Sequence, residues 1–284
     1  MTTDEIRQIV QKISLDVLKD IIDFCEKHQI EYFMMFGSLL GAVRHSGIIP
    51  WDDDIDIAMT RKNYLRFIEC IKNDGREFLL KNDIKTNGSG STKYVSELKV
   101  GRRGTKYCAT FAEDLDVNKY ITVDIFCVDY LKPSYVKNIE RNNKLTRLLS
   151  ISKVNWAEKR YLIRAYKLSN GIVKYVKIIS LYCLHLLRLI FSEKGIERFI
   201  YRMAVDTTNT SKRMGVVIVN DRPFSFSSDF MLNKVTFDKL KVLIPSNYDE
   251  ILTKSYGDYM TPPPEDQRHG IDRFEVILEV EEHQ

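Results

Sequence analysis

Along the first part of the chain the apolar positions fall at helical spacing. Ile6, Ile9, Val10, Ile13, Val17, Ile21 and Cys25 recur every three or four residues, which predicts one amphipathic helix over residues 2–28. Thr2 and Glu5 have the spacing of a capping box at its start. The run Glu31–Phe36 is a strand candidate, Gly37-Ser38 a turn, and Leu39–His45 a short helix. Residues Ile55 and Ile57 alternate with Asp54 and Asp56, which is strand periodicity. Helical spacing returns over Arg61–Asn73, and Phe78–Thr86 reads as a strand. Asn87–Ser91 is a loop by composition, and Tyr94–Val100 alternates again before the turn Gly101–Thr105. Tyr120–Tyr130 is a second strongly apolar strand with Asp124 inside it.

Beyond Pro133 the pattern changes. Helical spacing dominates to about Asp206, and Gly171–Phe191 is the most apolar stretch of the chain. Lys174, Lys177, His185 and Arg188 fall on one side of that stretch, which argues against a membrane span. It reads either as a helix buried in a helical subdomain or as one lying on an anionic membrane surface. A short strand over Met214–Val219, an aromatic and Ser-rich loop over Phe224–Phe230, a helix over Tyr248–Tyr256 ending at Gly257, and a final EVILEVEE that reads as an edge strand or a frayed terminus complete the reading. Three domains are expected: a catalytic core over 1–132, a helical subdomain over 133–212, and a segment over 213–284 that completes the core.

Composition narrows the class rather than the chemistry. An apolar content of 44% and a charged content of 29% are those of a globular protein with a sizeable core. The net charge of +4 is compatible with anionic substrates but gives no case for a nucleic-acid partner. Five cysteines without CxxC spacing suit a reducing compartment, and the acidic N-terminus has no signal-peptide character, so a cytoplasmic location is expected.

The chemistry concentrates in Met34–Met59. Asp54 and Asp56 share a strand face, roughly 6–7 Å apart along the chain. Two such carboxylates repel, and oxygen donors of this kind suit Mg²⁺ or Mn²⁺. The plainer alternative is a solvated acidic turn after Pro50. Asp124 is a candidate third ligand, because a carboxylate in a buried strand is costly unless paired or metal-bound; Asp129, near the strand end, reads as structural. Gly37-Ser38 can bring backbone N–H groups to phosphate. Lys99, Arg102, Arg103 and Lys106 form either a solvated hairpin tip or a phosphate clamp. Three prolines, Pro262–Pro264, extend the chain toward Arg268 and His269, which can close over the acidic site or pack on the surface.

The string FGSLLGAVRHSGIIPWDDDIDIAM resembles the signature of the LicD family, a relative of the fukutin-related proteins. Lys99–Thr105, the VDIF of Val123–Phe126 and YGDYMTPPPEDQRHG fit the same resemblance, which covers about residues 10–130 and 235–270. It implies an α/β fold, a nucleotidyltransferase-like mixed sheet flanked by helices with a helical insertion. It also implies a Mg²⁺-dependent (or Mn²⁺-dependent) phosphotransferase that moves phosphocholine from CDP-choline to a hydroxyl of a lipid-linked oligosaccharide, a teichoic acid or lipopolysaccharide precursor. By position, Asp54, Asp56 and Asp124 match the metal-binding and catalytic acids. Gly37, Ser38, Arg44, Trp51, Lys99, Arg102 and His269 are the substrate-binding candidates. Trp51, Tyr107, Tyr256 and Tyr259 are candidate walls for a quaternary ammonium. Donors carrying ribitol or glycerol phosphate, true nucleotidyl transfer, and a catalytically inactive assembly partner at the membrane remain the alternatives.

Overall fold

The computed structural model describes residues 1–86, 94, 97–115, 119–153, 156–168, 175–180, 182–183, 192–217, 225–268 and 275–281. The first helix, α1 (Thr3–His28), starts where the sequence places it. Thr2 Oγ1 accepts from the Glu5 amide while the Glu5 carboxylate accepts from the Thr2 amide. β1 (Phe33–Met34) is shorter than expected, because α2 (Phe36–Arg44) begins at once and takes Gly37-Ser38 into its first turn. β2 (Ile55–Thr60) and α3 (Arg61–Asp74) follow the sequence pattern closely.

The expected strand over Phe78–Thr86 is a correction. Its first half is helical, α4 (Arg76–Lys81), and only β3 (Asn82–Thr86) is extended. Short apolar runs do not distinguish the two states. Packing decides here: Phe78 lies against Phe24 at 5.2 Å and Phe67 at 6.2 Å between ring centres. β4 (Glu97–Arg102) and β5 (Thr105–Ala109) flank a tight turn in which Gly104 has φ 75°. β6 (Thr122–Tyr130) is the long central strand.

The helices α5 (Pro133–Lys137), α6 (Ile139–Lys153), α7 (Trp156–Leu168) and Glu193–Ala204 lie in the middle of the chain, where residues 175–180 and 182–183 are helical as well. β7 (Arg213–Gly215) and β8 (Phe226–Ser227) return to the sheet, the latter inside a stretch expected to be loop. The hairpin β9 (Leu232–Phe237) and β10 (Leu240–Pro245) was not foreseen as a pair. The helix Tyr248–Tyr256 ends at Gly257, φ 69°, as expected. β11 (Val276–Val280) is the anticipated edge strand and pairs antiparallel with β5.

The main sheet runs β1-β2-β6-β4-β3, with β7 on β6 and β8 on β7. β2 and β6 are parallel and the other pairings are antiparallel, so the sheet is mixed and flanked by helices. α1 and α3 cover the face that carries Val123, Ile125 and Cys127, all fully buried. A second, smaller core joins Leu131, Tyr135, Ile196, Ile200 and Val217 among the later helices. Tyr175, Val176, Ile179 and Tyr182, in the described part of the expected apolar helix, are exposed. Among the described residues no helix is long and apolar enough to cross a membrane.

Candidate active site

Strand register builds the site. Asp56 on β2 lies directly beside Asp124 on β6, and Lys99 on β4 lies directly across from Asp124. Neighbours in register point to the same face. Asp54, two residues before Asp56, joins them just ahead of the strand. This is the face opposite α1 and α3. The buried residues Ile55, Ile57, Val123 and Ile125 alternate with the acids and anchor the strands from the other side.

The turn that precedes the acids is held tightly. Phe36 has φ 48°, a conformation rarely adopted by a bulky residue, and its ring packs edge-on against Phe126 at 5.1 Å. The Met35 amide donates to the Asp56 carbonyl at 3.1 Å, and the Asp56 amide donates to Ser38 Oγ at 2.8 Å. Ser38 therefore positions the acidic strand and keeps its own O–H to donate. A Cβ on Gly37 would come within 2.8 Å of Asp52 Oδ2, so this glycine lets a carboxylate close on the start of α2. Gln11 on α1 donates to the Asp52 carbonyl at 2.7 Å, and Tyr107 Oη donates to Asp53 Oδ2 at 2.6 Å.

The electrostatics are those of an overcrowded acid cluster. Burial, followed by repulsion from Asp54 and Asp53, pushes the Asp52 carboxyl up to about 8. Asp54 is also raised, by crowding within the protein and then by Asp53 and Asp124; its side chain reaches solvent, which tempers the effect. Asp56 is raised well above the carboxylate range by burial and then by Asp54, Asp124 and Asp52. Lys99 is the counter-charge. Burial lowers its ammonium, but Asp124, Glu97 and Asp56 more than reverse this, and it bonds directly to Asp124. One ammonium does not neutralise Asp52, Asp54, Asp56 and Asp124. Among the described residues no three acidic, histidine or cysteine side chains already stand at ligand spacing, and Lys99 occupies one side of Asp124. The donor set is nonetheless all oxygen and under-neutralised, the chemistry that suits Mg²⁺ or Mn²⁺.

The cationic turn does not act as one unit. Only Lys99 faces the acids. Arg102 projects to the other face and pairs with Asp20 of α1 at 2.9 Å. This corrects its assignment as a substrate contact: along a strand, positions 99 and 102 fall on opposite faces. Arg103 pairs with Asp83, and Lys106 with Glu113 and Glu279. Arg44 and Trp51 are brought together: the Arg44 guanidinium lies 5.8 Å from the Trp51 ring centre and that of Arg268 lies 4.5 Å from it. Thus the proline-braced tail reaches the residue next to Asp52. His269 lies outside the described residues. Tyr259 Oη donates to Asp249, away from any ammonium role in this arrangement. Sequence reading passed over Asp52 and Asp53 as members of the site, although four aspartates in five positions were the signal.

Residues 29–138 match the family model described as LicD/FKTN/FKRP, nucleotidyltransferase domain. The chain is 27% identical to the lipopolysaccharide cholinephosphotransferase LicD of Haemophilus influenzae over 280 residues, covering 94% of this chain and 97% of that protein. Uncharacterized proteins of Rickettsia typhi and Rickettsia prowazekii are 45% and 47% identical over 55 residues, 19% of this chain and 18% and 21% of theirs. Residues 29–138 thus carry a LicD-type nucleotidyltransferase domain, and nearly the whole chain is similar to a LicD cholinephosphotransferase.

Proposed function

We propose that this LicD-family transferase moves phosphocholine from CDP-choline to a hydroxyl of a lipid-linked cell-surface glycan, with Mg²⁺ or Mn²⁺ held by Asp54, Asp56 and Asp124. The observation that carries the proposal is the in-register pair Asp56 and Asp124, with Asp54 beside them and, among the described residues, only Lys99 to neutralise the set. The cholinephosphotransferase activity of the Haemophilus influenzae relative supports the choice of cargo.

When bound, the divalent ion neutralises phosphate oxygens of the donor as the bond to phosphorus is exchanged. The residues of the chain supply the rest. Ser38 fixes the Asp56 backbone and presents a hydroxyl proton toward the same face. Lys99 brings positive charge to the transferring phosphoryl group, where preorganised donors contribute most. The acceptor oxygen attacks the phosphorus that bears choline, and the bond from that phosphorus to the bridging oxygen breaks. CMP leaves with the electron pair, and a carboxylate of the cluster takes the acceptor proton. Peripheral contact with a membrane through residues 171–191 would bring a lipid-linked acceptor within reach; the exposed Tyr175, Val176 and Ile179 support that part of the reading.

The test is incubation with Mg²⁺, CDP-choline and a lipid-linked acceptor, with product analysis. CMP release by the wild type, reduced at least about a hundredfold in Asp56→Ala, is expected. Pyrophosphate release, or normal turnover by the folded variant, contradicts the proposal. CDP-ribitol and CDP-glycerol, run in parallel, identify the cargo.

A further inference from the structure

We propose that Arg44, Trp51 and Arg268 form an anion site, beside the acidic cluster, that seats a phosphate or diphosphate group. Three separate parts of the chain build it: the end of α2, the loop before the aspartates, and the end of the tail braced by Pro262–Pro264.

Both guanidiniums lie against one indole, at 5.8 and 4.5 Å from its centre, and the two charges are near enough to oppose each other. Carboxylate neutralisation is slight. Arg44 donates to the Tyr259 carbonyl at 2.7 Å and weakly to His45 Nδ1 at 3.5 Å; among the described residues it makes no ion pair. Arg268 donates to the Pro263 carbonyl at 3.2 Å and reaches Glu265 only at 3.4 Å, where that carboxylate is 89% exposed. His45, edge-on to Trp51 at 6.0 Å, is held below its usual titration range by burial and by Arg44, so at neutral pH it adds no cation but also no anion. Bringing two such cations together is unfavourable unless something negative joins them.

Guanidinium geometry then selects the ligand. Among the described residues each planar fork keeps N–H groups free of protein acceptors, and two forks fixed on one ring match the oxygens of a phosphate or diphosphate. The same arrangement argues against Trp51 as a wall for choline: a quaternary ammonium would be the third cation on that ring. Because Trp51 directly precedes Asp52, a phosphate group held here adjoins the acidic cluster. The identity of the occupant rests on the function proposed above: it is either the donor diphosphate or the phosphate that links the acceptor to its lipid.

The chain has two tryptophans, so Trp156→Phe isolates the Trp51 fluorescence. In that background, in EDTA, pyrophosphate is expected to change Trp51 emission saturably. Arg44→Gln and Arg268→Gln should each weaken binding about tenfold, with Arg268→Lys in between. Unchanged thermal unfolding of the Arg268 variants separates lost binding from lost structure. The absence of a saturable change, or affinity unaltered in both glutamine variants, overturns the proposal. Displacement of pyrophosphate by CDP-choline assigns the site to the donor; displacement by a prenyl diphosphate in detergent micelles assigns it to the acceptor. Pyrophosphate binding that neither displaces leaves the anion site standing and counts against the transferase reading. CMP release without pyrophosphate binding does the reverse.

Discussion

Asp124 and Asp129 occupy the same strand, β6, on opposite faces, and their partners differ in kind. Asp129 is 2% exposed and has a cation of its own. Arg61, the first residue of α3, meets it with Nε at 2.9 Å and Nη2 at 2.5 Å. Tyr64 and Tyr201 flank that guanidinium at 5.7 and 5.6 Å. Asp124 instead shares one ammonium, Lys99, with Glu97, Asp54 and Asp56. A buried acid with a two-pronged guanidinium partner is a closed structural unit. A group of acids that outnumbers its cations is complete only when a ligand brings further positive charge.

The largest expected effect breaks the closed side. Asp129→Asn breaks the buried two-pronged ion pair with Arg61 and should cost about 3–5 kcal/mol in denaturant unfolding. On the open side the sign reverses: Asp56→Asn relieves repulsion among crowded carboxylates. In EDTA it should leave stability unchanged or raise it by up to about 1 kcal/mol, while abolishing transfer. A loss as large as that of Asp129→Asn would remove the contrast.

A pH series sharpens the same comparison. The folded Asp52 carboxyl titrates at about 8, against about 3.9 in an unfolded chain. Between these values the folded protein holds a proton that the unfolded chain has released. Asp52 therefore makes stability fall as pH rises through that window in EDTA. Asp52→Asn should flatten this slope, and saturating Mg²⁺ should oppose it. The smallest effect concerns the turn. Gly37→Ala brings a Cβ to 2.8 Å from Asp52 Oδ2 and should reduce activity about tenfold through displacement of that carboxylate, with little change in unfolding.

Much of this side of the molecule was legible from period alone. The capping box of α1, the Asp54/Asp56 alternation and the apolar flanks of Asp124 each specify local structure, and the pairing of β2 with β6 lets them converge. Residues whose role depends on which face they take were less legible. Arg102 and Lys99 are three positions apart on β4, yet one pairs with α1 and the other with the acids. Asp52 looked like one more residue of an acidic run until Gly37 and Gln11 fixed its place. The approach of Arg268 to Trp51 joins residues more than two hundred positions apart, a tertiary contact with no local periodic signal. The helical character of Arg76–Lys81 was hidden for a related reason, since burial against Phe24 and Phe67 decided the state.

The most direct test of the acidic face is calorimetric titration of the protein with Mn²⁺ or Mg²⁺, repeated on Asp54→Ala and on a conservative change at the closed site, Arg61→Lys. Saturable binding to the wild type and to folded Arg61→Lys, lost in Asp54→Ala with its unfolding temperature retained, is the expected result. Equal binding by wild type and Asp54→Ala, or no binding by either, would contradict the assignment of these aspartates as a metal-dependent centre.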